Sequence, residues 1–144
     1  MDGENKRLVR LADEGKRPES EKITINVGFV DLGHIDLLVR EGFYSNRTDF
    51  IRTAIRTQLE RNSDAARQST ARRRLQLGIS HYTVADLEAA RDAGEMLDIR
   101  VLGLATIAFD VSPELARAVI RSIEVLGALH ASAAVKAALA DRTA

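Results

Sequence analysis

The sequence predicts an α+β chain of two modules. The first is a strand, a short helix and a longer helix completed by a second copy of the same chain; the second is a small α/β module with two similar strand–helix units. Three observations carry this expectation. Residues 22–27 (KITINV) alternate strictly between polar and apolar, the period-2 signature of a strand with one face to bury. Helical spacing follows at once, so the strand has no hairpin partner of its own, and the matching strand of a second chain would satisfy its donors and acceptors. The run IRVLG at 99–103 returns as IEVLG at 123–127, 24 residues later.

Composition narrows the class. Of 144 residues, 45% are hydrophobic and 29% charged, and the absence of Cys excludes a disulfide framework and any Cys-based metal site. Apolar runs fall short of the ~18–20 residues that span a bilayer and the charged start MDGE is no signal peptide, so no membrane partner and a cytoplasmic, nucleoid-associated location are expected. The formal net charge of zero hides an asymmetry. Residues 1–78 carry 15 basic and 12 acidic side chains, residues 79–144 carry 6 and 9, which predicts modules of opposite sign.

In chain order, residues 1–20 mix charges around three large apolar side chains and are expected to form a flexible arm. After the strand, Asp31 is a plausible N-cap for a short amphipathic helix bearing Leu32, Ile35, Leu38 and Val39, with Gly42 as its stop. Gly33 in its first turn costs roughly 1 kcal/mol relative to Ala, which leaves the start of this helix open. Ser45 is placed to cap a second helix, whose stripe Phe50, Ile51, Ala54, Ile55 and Leu59 is flanked by Arg47, Arg52, Arg56 and Arg61 and runs to about residue 61. Residues 63–78 are either a basic helix or a linker. Beyond them, Thr83 and Asp86 form a capping-box pattern for a helix over 84–93, and residues 99–108 and 123–131 are two buried strands. Ser112-Pro113-Glu114 starts the helix between those strands, and a last helix covers 132–140. A 24-residue repeat lies in the solenoid range, but two copies are fewer than the roughly three that usually make a stable array, so copies from other chains are expected to supply the rest.

The run Gly42-Phe43-Tyr44-Ser45-Asn46-Arg47-Thr48-Asp49-Phe50-Ile51-Arg52-Thr53-Ala54-Ile55 resembles the G-x-x-S-x-R-[ST]-[DE]-x-I-R-x-A-[IL] pattern of the ribbon-helix-helix DNA-binding family of MetJ, Arc and CopG-type repressors. The resemblance covers residues 21–62; the junction Gly28-Phe29-Val30-Asp31 stands where many members carry Pro. It implies an obligate homodimer whose strands pair as an antiparallel ribbon and enter the major groove of double-stranded DNA. With Ile23, Ile25 and Val27 covering the helices, Lys22, Thr24 and Asn26 then face the base edges. Lys donates to guanine, Thr bonds or touches a thymine methyl, and Asn pairs with adenine. The start of the second helix, with Ser45, Asn46 and Arg47, suits a DNA phosphate. Residues 21–62 carry 6 basic and 6 acidic side chains, so Arg72, Arg73 and Arg74 are expected to add phosphate contacts.

No other chemistry emerges. His34, His81 and His130 have no metal-ligand spacing, and Gly103 and Gly127 belong to no nucleotide-binding pattern, so neither metal nor cofactor is expected. Without a nucleophile–base pair or carboxylate dyad, an enzyme is not expected. The chain is expected to be a sequence-specific transcriptional regulator acting as a repressor, with residues 79–144 assembling higher oligomers. Two rival readings stand beside it. One is an antitoxin or partition-type DNA-binding protein whose C-terminal module grips a protein partner; the other is a regulator that senses a small molecule.

Overall fold

The computed structural model describes residues 20–144, so the arm expected over 1–20 lies outside them but for Ser20. By packing, the described chain divides into two units, meeting between Arg47 and Thr48.

In the first unit, residues 21–28 adopt neither helix nor strand. The strand expected there does not form among the described residues of one chain, because strand backbone needs a neighbouring ladder and the sheet described is made of three later strands. Helix α1 (Phe29–Arg40) starts two residues before the expected cap at Asp31. Gly28 takes the N-cap position, with its carbonyl accepting from the Leu32 N–H at 2.9 Å, and Asp31 sits in the first turn, where the helix dipole favours an acid. The other end stops as Gly42 predicts. Its φ of +86° lets Gly42 N–H reach the Val39 carbonyl (3.1 Å) and Phe43 N–H the Leu38 carbonyl (3.0 Å), a Schellman closure.

Helix α2 (Arg47–Arg61) ends where expected, and α3 (Ser63–Arg73) resolves the helix-or-linker segment as a helix. The same double closure ends α3, but the left-handed position is held by Arg74 at φ +54°. Strand β1 (Gln76–Tyr82) follows directly and was not anticipated; it crosses the expected boundary between residues 78 and 79. Helix α4 (Val84–Asp92) carries the predicted capping box. Thr83 Oγ1 accepts from Asp86 N–H at 3.2 Å, and the Asp86 carboxylate accepts from Thr83 N–H at 2.9 Å. Then come β2 (Leu97–Ile107), α5 (Pro113–Val119), β3 (Ile120–His130), α6 (Ala133–Ala138) and a 3-10 turn (Ala140–Arg142). Ser112 and Ser132 cap α5 and α6, each hydroxyl accepting a backbone N–H at 3.1 Å.

The three strands run parallel in the order β1-β2-β3, so there are three strand–helix units where the sequence showed two. Ile99, Val101, Ala105 and Ile107 of β2 and Ile123 of β3 face Leu87, Ala90, Leu115, Ala116, Val119, Val135 and Leu139 in one buried core. Each large member contributes about 1.5–3 kcal/mol by leaving water. The opposite sheet face stays partly open, with Leu77 76% and Ile79 58% exposed.

Gly78, Gly103 and Gly127 share one row of the register, with φ of +122°, +138° and +121°. A Cβ on Gly103 would lie 2.1 Å from the Gly78 carbonyl oxygen, and one on Gly127 2.1 Å from that of Gly103. Strand approach at this row therefore requires glycine twice over, for φ and for space. Since β3 begins where α5 ends, the C-terminal residues supply the missing partners at that corner. Arg142 donates to the carbonyls of Arg117 (2.5 Å) and Ile120 (2.7 Å), and Arg117 pairs with Asp141 at 2.9 Å. At the start of β2, Asp98 accepts from Arg121 and from the Ser122 hydroxyl (2.6 Å).

These features make three expectations measurable. Gly103→Ala and Gly127→Ala combine backbone strain with displacement of a carbonyl and destabilise by roughly 3–5 kcal/mol, against about 1–3 kcal/mol for Gly78→Ala, which meets strain alone; urea midpoints of dilute protein give the order. Arg74→Gly relieves the left-handed position and stabilises by about 0.5–1 kcal/mol after the glycine's own entropy is counted. Arg121 and Ser122 hold the Asp98 carboxyl well below the usual carboxylate range, Arg117 lowers Asp141, and the Thr83 N–H lowers Asp86. Depressed folded values mean that this stabilisation is complete above the unfolded value near pH 4 and is lost as pH falls through the folded ones. Thermal unfolding temperature should thus drop steadily below about pH 4, and Asp98→Asn should lower it at pH 7 while flattening the acid decline.

Candidate nucleic-acid interface

Lys22, Thr24 and Asn26 alternate along residues 22–27 with Ile23, Ile25 and Val27, and all six are exposed. Ile23 is 82% and Ile25 65% open to solvent, and Phe29 at the start of α1 is 93% open. Apolar side chains gathered this way mark a surface that another molecule covers. The strand pattern therefore has its apolar side exposed among the described residues, next to the three polar residues expected to read bases.

The start of α2 is the second component. The helix begins at Arg47, two residues after Ser45, so Asn46 rather than Ser45 stands immediately before it. The dipole makes this end attractive to an anion, and Asp49 in the first turn partly opposes that attraction. Arg47 donates through Nε (2.7 Å) and Nη2 (2.9 Å) to the two carboxylate oxygens of Asp36 in α1. This forked pair holds Asp36 below its ordinary pKa and raises that of Arg47. Arg47 is thus fixed in place by a partner eleven residues away, one that local sequence patterns do not reveal.

Arg72, Arg73 and Arg74 belong to the second unit and close the end of α3. Arg72 donates to the Ser69 hydroxyl (3.0 Å), Arg73 pairs with Glu124 of β3 (2.8 Å) and its carbonyl accepts from Arg100, and Arg74 forms the left-handed cap. The side chains of Arg72 and Arg73 therefore have partners within their own unit, while Arg74 contributes its backbone to the helix end. The register also aligns what the sequence scatters: His81 and His130 flank Thr106 in one row. Among the described residues no three His, Asp or Glu gather as metal ligands, and no helix is long and apolar enough to cross a membrane.

Comparison with known proteins bears on both units. The model of the ribbon-helix-helix transcriptional regulator family matches residues 18–136, a span running from before Lys22 through all three strands into α6. No curated protein and no solved structure matches the chain. The sheet unit, which carried no resemblance in the sequence, thus falls within the family match together with the segment around Gly42–Ile55, and the chain belongs to the ribbon-helix-helix transcriptional regulator family.

Proposed function

We propose that the protein is a dimeric, sequence-specific DNA-binding repressor. Two copies pair residues 22–27 as an antiparallel ribbon, which turns Ile23, Ile25 and Val27 onto the helices and Lys22, Thr24 and Asn26 into the major groove. The observation that carries this reading is the exposed apolar series Ile23, Ile25, Val27 and Phe29 beside those polar residues. Burying each such side chain contributes about 1.5–3 kcal/mol, so a second copy has a large stabilisation to offer. The α2 N-terminus with Ser45, Asn46 and Arg47 sets the register on a phosphate, and the ribbon reads sequence. Repression follows from occupying the operator.

Because residues 21–62 are neutral overall, one dimer on one site gains little from bulk charge. In this proposal the sheet unit links dimers on neighbouring sites, which raises their effective concentration without new DNA contacts.

The test is selection of genomic fragments by the full-length protein and by a Lys22→Ala/Thr24→Ala/Asn26→Ala variant confirmed as a folded dimer. Wild type is expected to enrich a repeated or palindromic motif. With each lost contact costing about 1–3 kcal/mol, the variant should bind that motif about 100-fold or more weakly while keeping salt-dependent, non-specific affinity. Recovery of the same fragments by both proteins would show that the ribbon does not read bases.

A further inference from the structure

The two edges of the parallel sheet carry complementary halves of one contact. Within the sheet, each glycine of the shared row turns the side where a Cβ would stand toward the preceding strand: Gly103 toward the Gly78 carbonyl, Gly127 toward the Gly103 carbonyl. The repeat leaves the last carbonyl of the series, that of Gly127, on the outer edge of β3. It leaves the corresponding vacant side of Gly78 on the outer edge of β1, where no heavy atom of the described chain comes within 4 Å. Gly78 nonetheless has the same φ, +122°, as the two glycines that are packed against a carbonyl.

The surroundings of each edge point the same way. Leu77, Leu102 and Leu126 form one apolar row across the open face, and Ile79, Leu104 and Ala128 the next. A strand bearing Leu-Gly-Ile beside β3 would lengthen both rows, and β1 has that sequence. The outer edge of β3 is engaged at its beginning by Thr143, which bridges to Ile123, and Ala144, whose N–H donates to the Ile123 carbonyl. In the common register β1 begins two rows further on, opposite Val101 and hence Val125, so an incoming β1 meets edge that these residues do not cover. At this same end the core opens into an apolar cavity of about 460 Å³, bordered by Ile123, Leu129, Val135 and Leu139, where a further strand–helix unit would continue the layers.

We infer that the sheet unit stacks head to tail, the outer edge of β3 in one copy receiving β1 of a second copy in parallel register with Gly78 beside Gly127. Three repeats then become part of a longer array in which each end covers the next, as solenoid ends require. A twofold pairing of β1 with β1 would set two vacant glycine sides against each other and leave the Gly127 carbonyl unused. The contact is heterologous, so it does not close on itself and adds copies one after another. The inference rests on the proposal that the sheet unit assembles dimers, and is independent of how DNA is read.

The native chain has no Cys, which makes site-specific crosslinking clean. Full-length Leu77→Cys, full-length Leu126→Cys and their mixture are treated with a short thiol–thiol crosslinker, alongside a Leu77→Cys/Leu126→Cys chain. Conjugates are expected in the mixture and not in either single variant, and the double variant should give a ladder exceeding two chains. Gly78→Ala in the double variant should abolish the ladder in protein that circular dichroism and its urea midpoint show to be folded, because its methyl, which brings only backbone strain within its own chain, would meet the Gly127 carbonyl of the next. Conjugates in Leu77→Cys alone, a ladder stopping at two chains, or a ladder that survives Gly78→Ala would overturn the head-to-tail edge. Sedimentation of the wild type separates the two levels: no species larger than a dimer at any concentration refutes assembly itself, whereas larger species without 77–126 conjugates refute only this edge.

Discussion

The sheet is held in register by a steric constraint. At one row, the carbonyl oxygen of each strand occupies the place where a side chain on the next strand would begin, so that position admits glycine and nothing larger. A shift of one residue would ask Leu102 or Leu104 to take the left-handed backbone that brings Gly103 against the Gly78 carbonyl, a conformation that side chains resist. With the glycines aligned, the odd-numbered residues of β2 fall on the helix side and fill the core, the even-numbered ones fall outside, and the caps at Thr83, Ser112 and Ser132 each start the helix that follows a strand.

The two units solve the burial problem differently. In the second, the apolar residues of the strands find α4, α5 and α6 within the same chain, and nine large side chains are essentially inaccessible. In the first, Ile35 is the buried apolar residue among those described, and Ile23, Ile25, Phe29 and Val30 all face out. The described part of the first unit therefore has little apolar packing of its own. The Arg47–Asp36 fork works under that condition, fixing the start of α2 to α1 through charge where apolar packing is scarce.

Local punctuation was legible in the sequence; tertiary pairing was not. Gly42 closing α1, the Thr83–Asp86 box and Ser112-Pro113 each act within one helical turn, and each appears where the residues placed it. The period-2 pattern at 22–27 is equally clear, yet a pattern states which residues could face a core, and among the described residues no neighbouring strand lies beside them. Strand β1 has little signature in the sequence because its two large aliphatics, Leu77 and Ile79, flank a glycine and face away from the core. Without it the Leu-Gly repeat had two copies instead of three. Arg73 read as surplus positive charge because its partner, Glu124, is 51 residues away and meets it only when all three strands are in place.

The corner between α5 and β3 carries a consequence for the order in which contacts form. Helix and strand meet there without a loop, and the carbonyls of Arg117 and Ile120 find their donor in Arg142, 22 residues beyond the latter. Until Arg142 folds back onto it, the sheet has a corner with unpaired polar groups and an apolar side still bare. Parallel strands joined through helices already demand distant contacts before they reward them. Closing this corner therefore depends on a distant contact, whereas α1, closed by Gly42 within its own turn, forms on local contacts alone.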